Sequence, residues 1–148
     1  MLPFFVYGTL RPGEHNHDLF LRGRTRAEEP ARMRGLVLYH GPGYPYAVEE
    51  TGGGGGRGAT VSGELVTARP EAYDELLRDL DRLEDYTPGD PTNLYERVER
   101  AATLDDGTAV RAWVYVAAPA VAAGLRGRGK RIEGGDWCGR RDRGLPCA

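Results

Sequence analysis

The chain has 148 residues, 40% of them apolar, which is enough for one core and one domain of common size. Lys and Arg number 20 against 22 Asp and Glu, and the resulting net charge of −2 gives no general electrostatic pull toward nucleic acid. No stretch approaches the ~18 apolar residues of a membrane span, and no charged segment leads into a long apolar run at the amino end, so a soluble cytoplasmic protein is expected. The two cysteines, Cys138 and Cys147, sit at the far end, where they cannot staple the core even if they pair.

Leu2 to Tyr7 is apolar and rich in aromatic residues, which reads as an interior strand. It stops in Gly8-Thr9-Leu10-Arg11-Pro12-Gly13, a turn whose glycine lets a ligand approach the backbone and whose N–H groups suit a small anion. Glu14 to Leu21 suits a short helix. His15-Asn16-His17 has the look of a metal pair, yet no Cys or further His has ligand spacing with it; loop hydrogen bonding is the expected role, and no metal is expected.

Arg34 to Tyr39 reads as a strand, Gly41-Pro42-Gly43 as a turn, and Tyr44 to Val48 as another extended piece. The glycine run Gly52 to Gly56 lacks both the Gly-Lys-Ser/Thr ending and the following helix of a phosphate loop, and reads as a flexible connector. Thr60 to Val66 alternates as a strand does. Pro70 then opens a helical segment to Asp85, and Thr87-Pro88-Gly89 ends it. Tyr95 to Thr103 and Thr108 to Ala117 flank Asp105-Asp106-Gly107 and should pair as an antiparallel hairpin. From Arg126 to Arg143, Gly and Arg alternate with little apolar recurrence, which predicts a mobile tail. The sum is an α+β domain whose sheet curls into a barrel.

On a helical wheel, Tyr73, Leu76, Leu77, Leu80 and Leu83 form one stripe, and Glu84 lands about 20° from Tyr73, near its centre. Asp74, Asp79 and Asp85 lie off the stripe and Asp81 on its edge, while Arg78 and Arg82 face solvent; these charges read as a solvated face. A carboxylate on an apolar face loses hydration, and the last helical turn adds the negative end of the dipole. Both raise its pKa toward the range a general acid/base needs. The competing expectation is a frayed helix end, with Glu84 turned to water or paired with Arg97. In the last strand Trp113 and Tyr115 alternate with Ala112 and Val114, so one of these faces is core and Tyr115 could serve packing alone.

Tyr7-Gly8-Thr9-Leu10, the helix end Leu80-Asp81-Arg82-Leu83-Glu84-Asp85-Tyr86, and Tyr95-Glu96-Arg97 together resemble the gamma-glutamylcyclotransferase-like superfamily. Gly43-Tyr44-Pro45, Ala112-Trp113-Val114-Tyr115-Val116 and Gly135-Asp136-Trp137 extend the likeness, which is greatest to the subgroup named after plant avirulence-induced proteins. It spans Phe4 to Trp137, with the domain at 1–137 and an Arg/Gly-rich tail at 138–148. The resemblance implies a small mixed β-barrel with flanking helices, no cofactor, and release of 5-oxoproline from a small gamma-glutamyl amide. It also implies Glu84 as the acid/base, Tyr7, Gly8, Thr9 and Leu10 as the loop holding the glutamyl moiety, and Tyr115 as a further pocket residue.

The residue chemistry fits that reaction. A carboxylate must take the proton of the substrate's alpha-ammonium and later deliver one to the leaving nitrogen. No enzyme nucleophile is needed, because the attack is intramolecular. The alternatives are a binding module for a small carboxylate or a protein, with Glu84 inert, and a hydrolase that admits water and releases glutamate.

Overall fold

The computed structural model describes residues 1–50 and 59–138. The glycine connector and the last ten residues, Cys147 included, lie outside them. Five strands close into a barrel in the order β1 (Phe4–Val6), β5 (Thr60–Ala68), β2 (Thr25–Arg34), β6 (Tyr95–Leu104) and β7 (Ala109–Ala117). Closure comes from a parallel contact of β1 with β7, Phe4 opposite Trp113, while the other pairs run antiparallel. The mixed barrel inferred from the sequence is therefore the architecture observed. β3 (Leu36–His40) and β4 (Pro45–Glu49) form a separate hairpin, joined by the predicted glycine turn.

β1 is three residues long and buried on both faces, which is why its apolar run does not alternate. Phe5 points into the barrel with Met33, Leu65 and Val114, whereas Phe4 and Val6 face a second core beneath a helix. At Gly63 on β5 a Cβ would stand 2.2 Å from the carbonyl oxygen of Val6, so only glycine lets the two strands approach this closely.

The helical segment splits in two. Pro70–Ala72 is a single 3₁₀ turn and α1 covers Tyr73–Leu83, burying Tyr73, Leu76 and Leu80 against the outer barrel face. The predicted helix at Glu14 to Leu21 is a single wide π-helical turn, His17–Leu21, anchored by Leu21.

Two elements lie where none was expected. β2 is Thr25–Arg34, a polar run interrupted by Pro30. It pairs with β5 over most of its length but with β6 only at Ala31 and Arg32. Its first half is therefore a sheet edge, where proline and charge are tolerated. α2, Pro119–Arg128, begins on a proline and buries Ala122 in a third cluster with Tyr39 and Val48.

The mobile tail expected from Arg126 is corrected as far as Trp137. The Lys130 carbonyl accepts the His40 N–H at 2.9 Å and the Ile132 N–H donates to Leu38 at 2.8 Å, lacing this segment onto β3. Trp137 then plugs the barrel interior, 3% exposed. No helix among the described residues is long and apolar enough to cross a membrane.

Candidate active site

Beyond β1, the chain turns through Tyr7, Gly8, Thr9 and Leu10. Gly8 packs closely here, since a Cβ would sit 3.0 Å from the Pro45 ring at the start of β4 and the ring would have to give way. The Gly8 carbonyl accepts the Arg11 N–H at 3.0 Å, and the Thr9 carbonyl accepts the Asn16 N–H at 3.1 Å. Asn16 Nδ2 also donates to Thr9 Oγ1 at 2.8 Å. The carbonyl side of the loop is thus tied back. The N–H groups of Gly8, Thr9 and Leu10 donate to no other described residue, and these residues line a cavity of about 270 Å³. Outside the cavity, Arg11 pins the loop to Glu64 at 2.9 Å.

The end of α1 forms another part of the lining. The Asp85 N–H bonds the Arg82 carbonyl at 3.1 Å and the Tyr86 N–H bonds the Asp81 carbonyl at 2.8 Å, with Asp85 in the left-handed region at φ 54°. This is the Schellman termination, with aspartate where glycine is usual. It fixes Glu84 as the C-cap, one residue beyond Leu83, on the wall of the same cavity. Burial pushes the Glu84 carboxyl up to about 7, and the carbonyl end of the helix acts in the same direction. Its carboxylate has no hydrogen bond or ion pair among the described residues.

The competing pairing of Glu84 with Arg97 does not occur, because Arg97 is taken by Asp81, Nε to Oδ1 at 2.8 Å. Asp81 was expected on a solvated face. Instead it is four-fifths buried and also accepts the Tyr115 hydroxyl at 2.6 Å. The Arg97 guanidinium lies over Trp113 at 4.3 Å and over Tyr86 at 5.4 Å. Asp79 is likewise engaged, with Arg24 at 2.8 Å.

Tyr115 lines the cavity with its hydroxyl committed to Asp81. The Tyr7 hydroxyl donates to the Tyr115 carbonyl. Tyr95, quoted from the sequence within the Tyr95-Glu96-Arg97 motif but not as a site residue, also lines the cavity, donates to the Pro45 carbonyl at 3.1 Å and stacks on Tyr46 at 5.1 Å. That motif was the available signal, and the register sets Tyr95 opposite Ala117 at the start of the last hairpin. Burial, reinforced by the charge of Glu84, pushes the phenols of Tyr7 and Tyr95 far above the ordinary range. Burial does the same at Tyr115, with Asp81 adding to it. All three remain neutral donors at working pH. His17 Nε2 meets Glu28 at 2.6 Å, and no cluster of three metal-ligating side chains occurs among the described residues.

The half-buried, unpaired carboxylate of Glu84 and the free amides of Gly8, Thr9 and Leu10 thus line one cavity beside a small closed barrel. Residues 4–139 match the family model "Gamma-glutamyl cyclotransferase, AIG2-like", and the chain belongs to that family. It is 36% identical over 113 residues to the gamma-L-glutamyl-butirosin B gamma-glutamyl cyclotransferase of Niallia circulans, covering 76% of this chain and 64% of the relative. The chain thus spans somewhat under two thirds of that relative's length. An AIG2-like protein from Mus musculus has the same fold, at 23% identity and a TM-score of 0.67 over 98% of this chain and 93% of its own. A protein from Pyrococcus horikoshii superposes with a TM-score of 0.58 at 25% identity, over 97% and 93% of the two chains. Membership supports an enzyme of the cyclotransferase type.

Proposed function

We propose that this protein releases 5-oxoproline from a gamma-glutamyl amide. The observation that carries the reading is the placement of Glu84 and the free amides of Gly8, Thr9 and Leu10 on one cavity. Glu84 takes a proton from the substrate's alpha-ammonium, and the freed amine attacks the gamma-carbonyl. The new C–N bond closes a five-membered ring, the original amide C–N bond breaks, and Glu84 returns its proton to the departing nitrogen. No water is consumed. Ring closure within one bound molecule gains an effective molarity of up to ~10⁵–10⁸ M, so no enzyme nucleophile is required. The loop amides hold the alpha-carboxylate or the developing oxyanion, and Tyr7 and Tyr115 shape the wall beside them.

The test is incubation of purified protein with gamma-glutamyl amino acids, gamma-glutamyl amines and gamma-glutamyl-epsilon-lysine, read by mass spectrometry. At least one should yield 5-oxoproline, and Glu84→Gln should lower that rate by ~10²–10⁴-fold with an unchanged circular dichroism spectrum. Full turnover by the Gln variant would refute the mechanism. Free glutamate as the sole product would make the enzyme a hydrolase instead.

A further inference from the structure

The His15-Asn16-His17 run takes no part in the proposed chemistry, yet two of its residues are engaged in opposite directions. Asn16 reaches Thr9 twice: its N–H donates to the Thr9 carbonyl at 3.1 Å and its Nδ2 to Thr9 Oγ1 at 2.8 Å. The next residue turns toward the barrel. His17 Nε2 meets Glu28 Oε1 on β2 at 2.6 Å, and Glu28 Oε2 accepts the Thr25 hydroxyl at 2.8 Å. The His17 and Glu28 side chains are 16% and 20% exposed, so solvent competes weakly for this contact.

The far end of the π-helical turn is tied to α1. Leu21, fully buried, shares a cluster with Leu76 and Leu80 of that helix and with Leu10 of the loop. Arg24, just past the turn, pairs with Asp79 of α1 at 2.8 Å. One short segment, 16–24, therefore touches the candidate substrate loop, the barrel wall and the helix that ends at Glu84. Of its polar anchors, Asn16 lines the cavity, whereas His17 and Glu28 do not.

Resting on the cyclotransferase reading, we propose that Asn16 and His17 are positioning residues that hold the Gly8 to Leu10 amides in place relative to Glu84. Amides that bind an anion must stay unpaired in the free protein, so such a loop cannot be fixed through its own N–H groups. It has to be held by a carbonyl and a side chain, which is how Asn16 holds Thr9. His17 then fixes Asn16 to β2, and Leu21 and Arg24 refer the same segment to α1. Ring closure within one bound molecule depends on this spacing, because a small misplacement of the glutamyl unit forfeits effective molarity.

The experiment measures 5-oxoproline release from gamma-glutamyl-epsilon-lysine, or from whichever member of the panel above the wild type turns over fastest. Asn16→Ala and Thr9→Val should each raise KM by about three- to tenfold, the worth of one hydrogen bond. Thr9→Ser keeps the acceptor and should stay within about twofold of the wild type. The double variant should lose no more than the worse single one, since both substitutions remove the same bond. His17→Ala and Glu28→Ala should raise KM in the same direction, although neither side chain reaches the cavity. A merely structural role lowers the folded fraction, and with it kcat, at unchanged KM; circular dichroism and urea titration report that fraction independently.

An unchanged KM in the folded Asn16→Ala or His17→Ala variant overturns the positioning role of that residue and leaves the cyclotransferase reading standing. Additive losses in the double variant overturn the latch as well, because Asn16 and Thr9 would then meet the substrate separately. If Asn16→Ala fails to fold, Thr9→Val and Glu28→Ala decide the same question. Absence of 5-oxoproline from the wild type across the whole panel overturns both readings.

Discussion

Glu84 places opposite demands on the fold and on the chemistry. Its pKa is about 7 in the folded chain against an ordinary 4.5, so the fold binds its proton more tightly than the unfolded chain does. The stability associated with this group is complete below pH ~4.5 and is lost as pH rises through ~7, a difference of about 3 kcal/mol at most. Glu84→Gln keeps the shape of the protonated acid and cannot ionise. It should raise unfolding stability by ~1–3 kcal/mol at pH 8 and have little effect near pH 4.5, as measured by urea titration at the two values. Under the proposed mechanism, the wild type should also lose kcat/KM about tenfold per unit as pH falls below ~7, since the base must be ionised to act. Gain of stability with loss of turnover is the expected signature of an active-site acid held in an apolar wall.

At the scale of elements, the C-terminal turn of α1 and the β6–β7 hairpin are held together by Asp81. Its carboxylate accepts from Arg97 at 2.8 Å on β6 and from Tyr115 at 2.6 Å on β7, and it lies one helical turn before Glu84. Asp81→Asn leaves the Arg97 charge half-buried and uncompensated, which costs about 1–3 kcal/mol. The variant should unfold at lower urea. Its kcat should fall more than its KM rises if Asp81 orients the helix end for catalysis; an unchanged kcat in the folded variant would limit Asp81 to stability. The stripe that put Glu84 on the cavity side was legible from Tyr73, Leu76 and Leu80, because a 3.6-residue period survives whatever the helix packs against. The Asp81 network was not legible. An acid on the edge of a stripe looks solvated until the strand carrying its arginine is placed beside it. β2 escaped for a related reason: Pro30 and its charged neighbours obscure the alternation, and its pairing with β5 supplies the order that local pattern does not.

At the scale of the whole molecule, the filling of the barrel interior draws on a segment whose composition argued for a loose tail. Gly and Arg dominate from Arg126 onward, but Trp137 enters the barrel among Phe5, Met33 and Val61. Arg11, directly after the candidate substrate loop, donates to the Trp137 carbonyl at 2.8 Å and to Asp136 at 2.6 Å. The plug and the loop are therefore mechanically joined through one guanidinium. Trp137→Ala removes the largest side chain of the segment and should cost about 3–5 kcal/mol, loosening the loop with it. The indole Nε1 has no hydrogen-bond partner among the described residues. Trp137→Phe deletes that orphan donor while keeping most of the apolar volume, so relief of the unsatisfied N–H offsets part of the lost packing. The Phe variant should lie within about 1–2 kcal/mol of the wild type by urea titration, well above the Ala variant. Equal destabilisation by both would mean that the indole nitrogen holds a partner, such as a buried water, and that the plug is fixed by polarity as well as by packing.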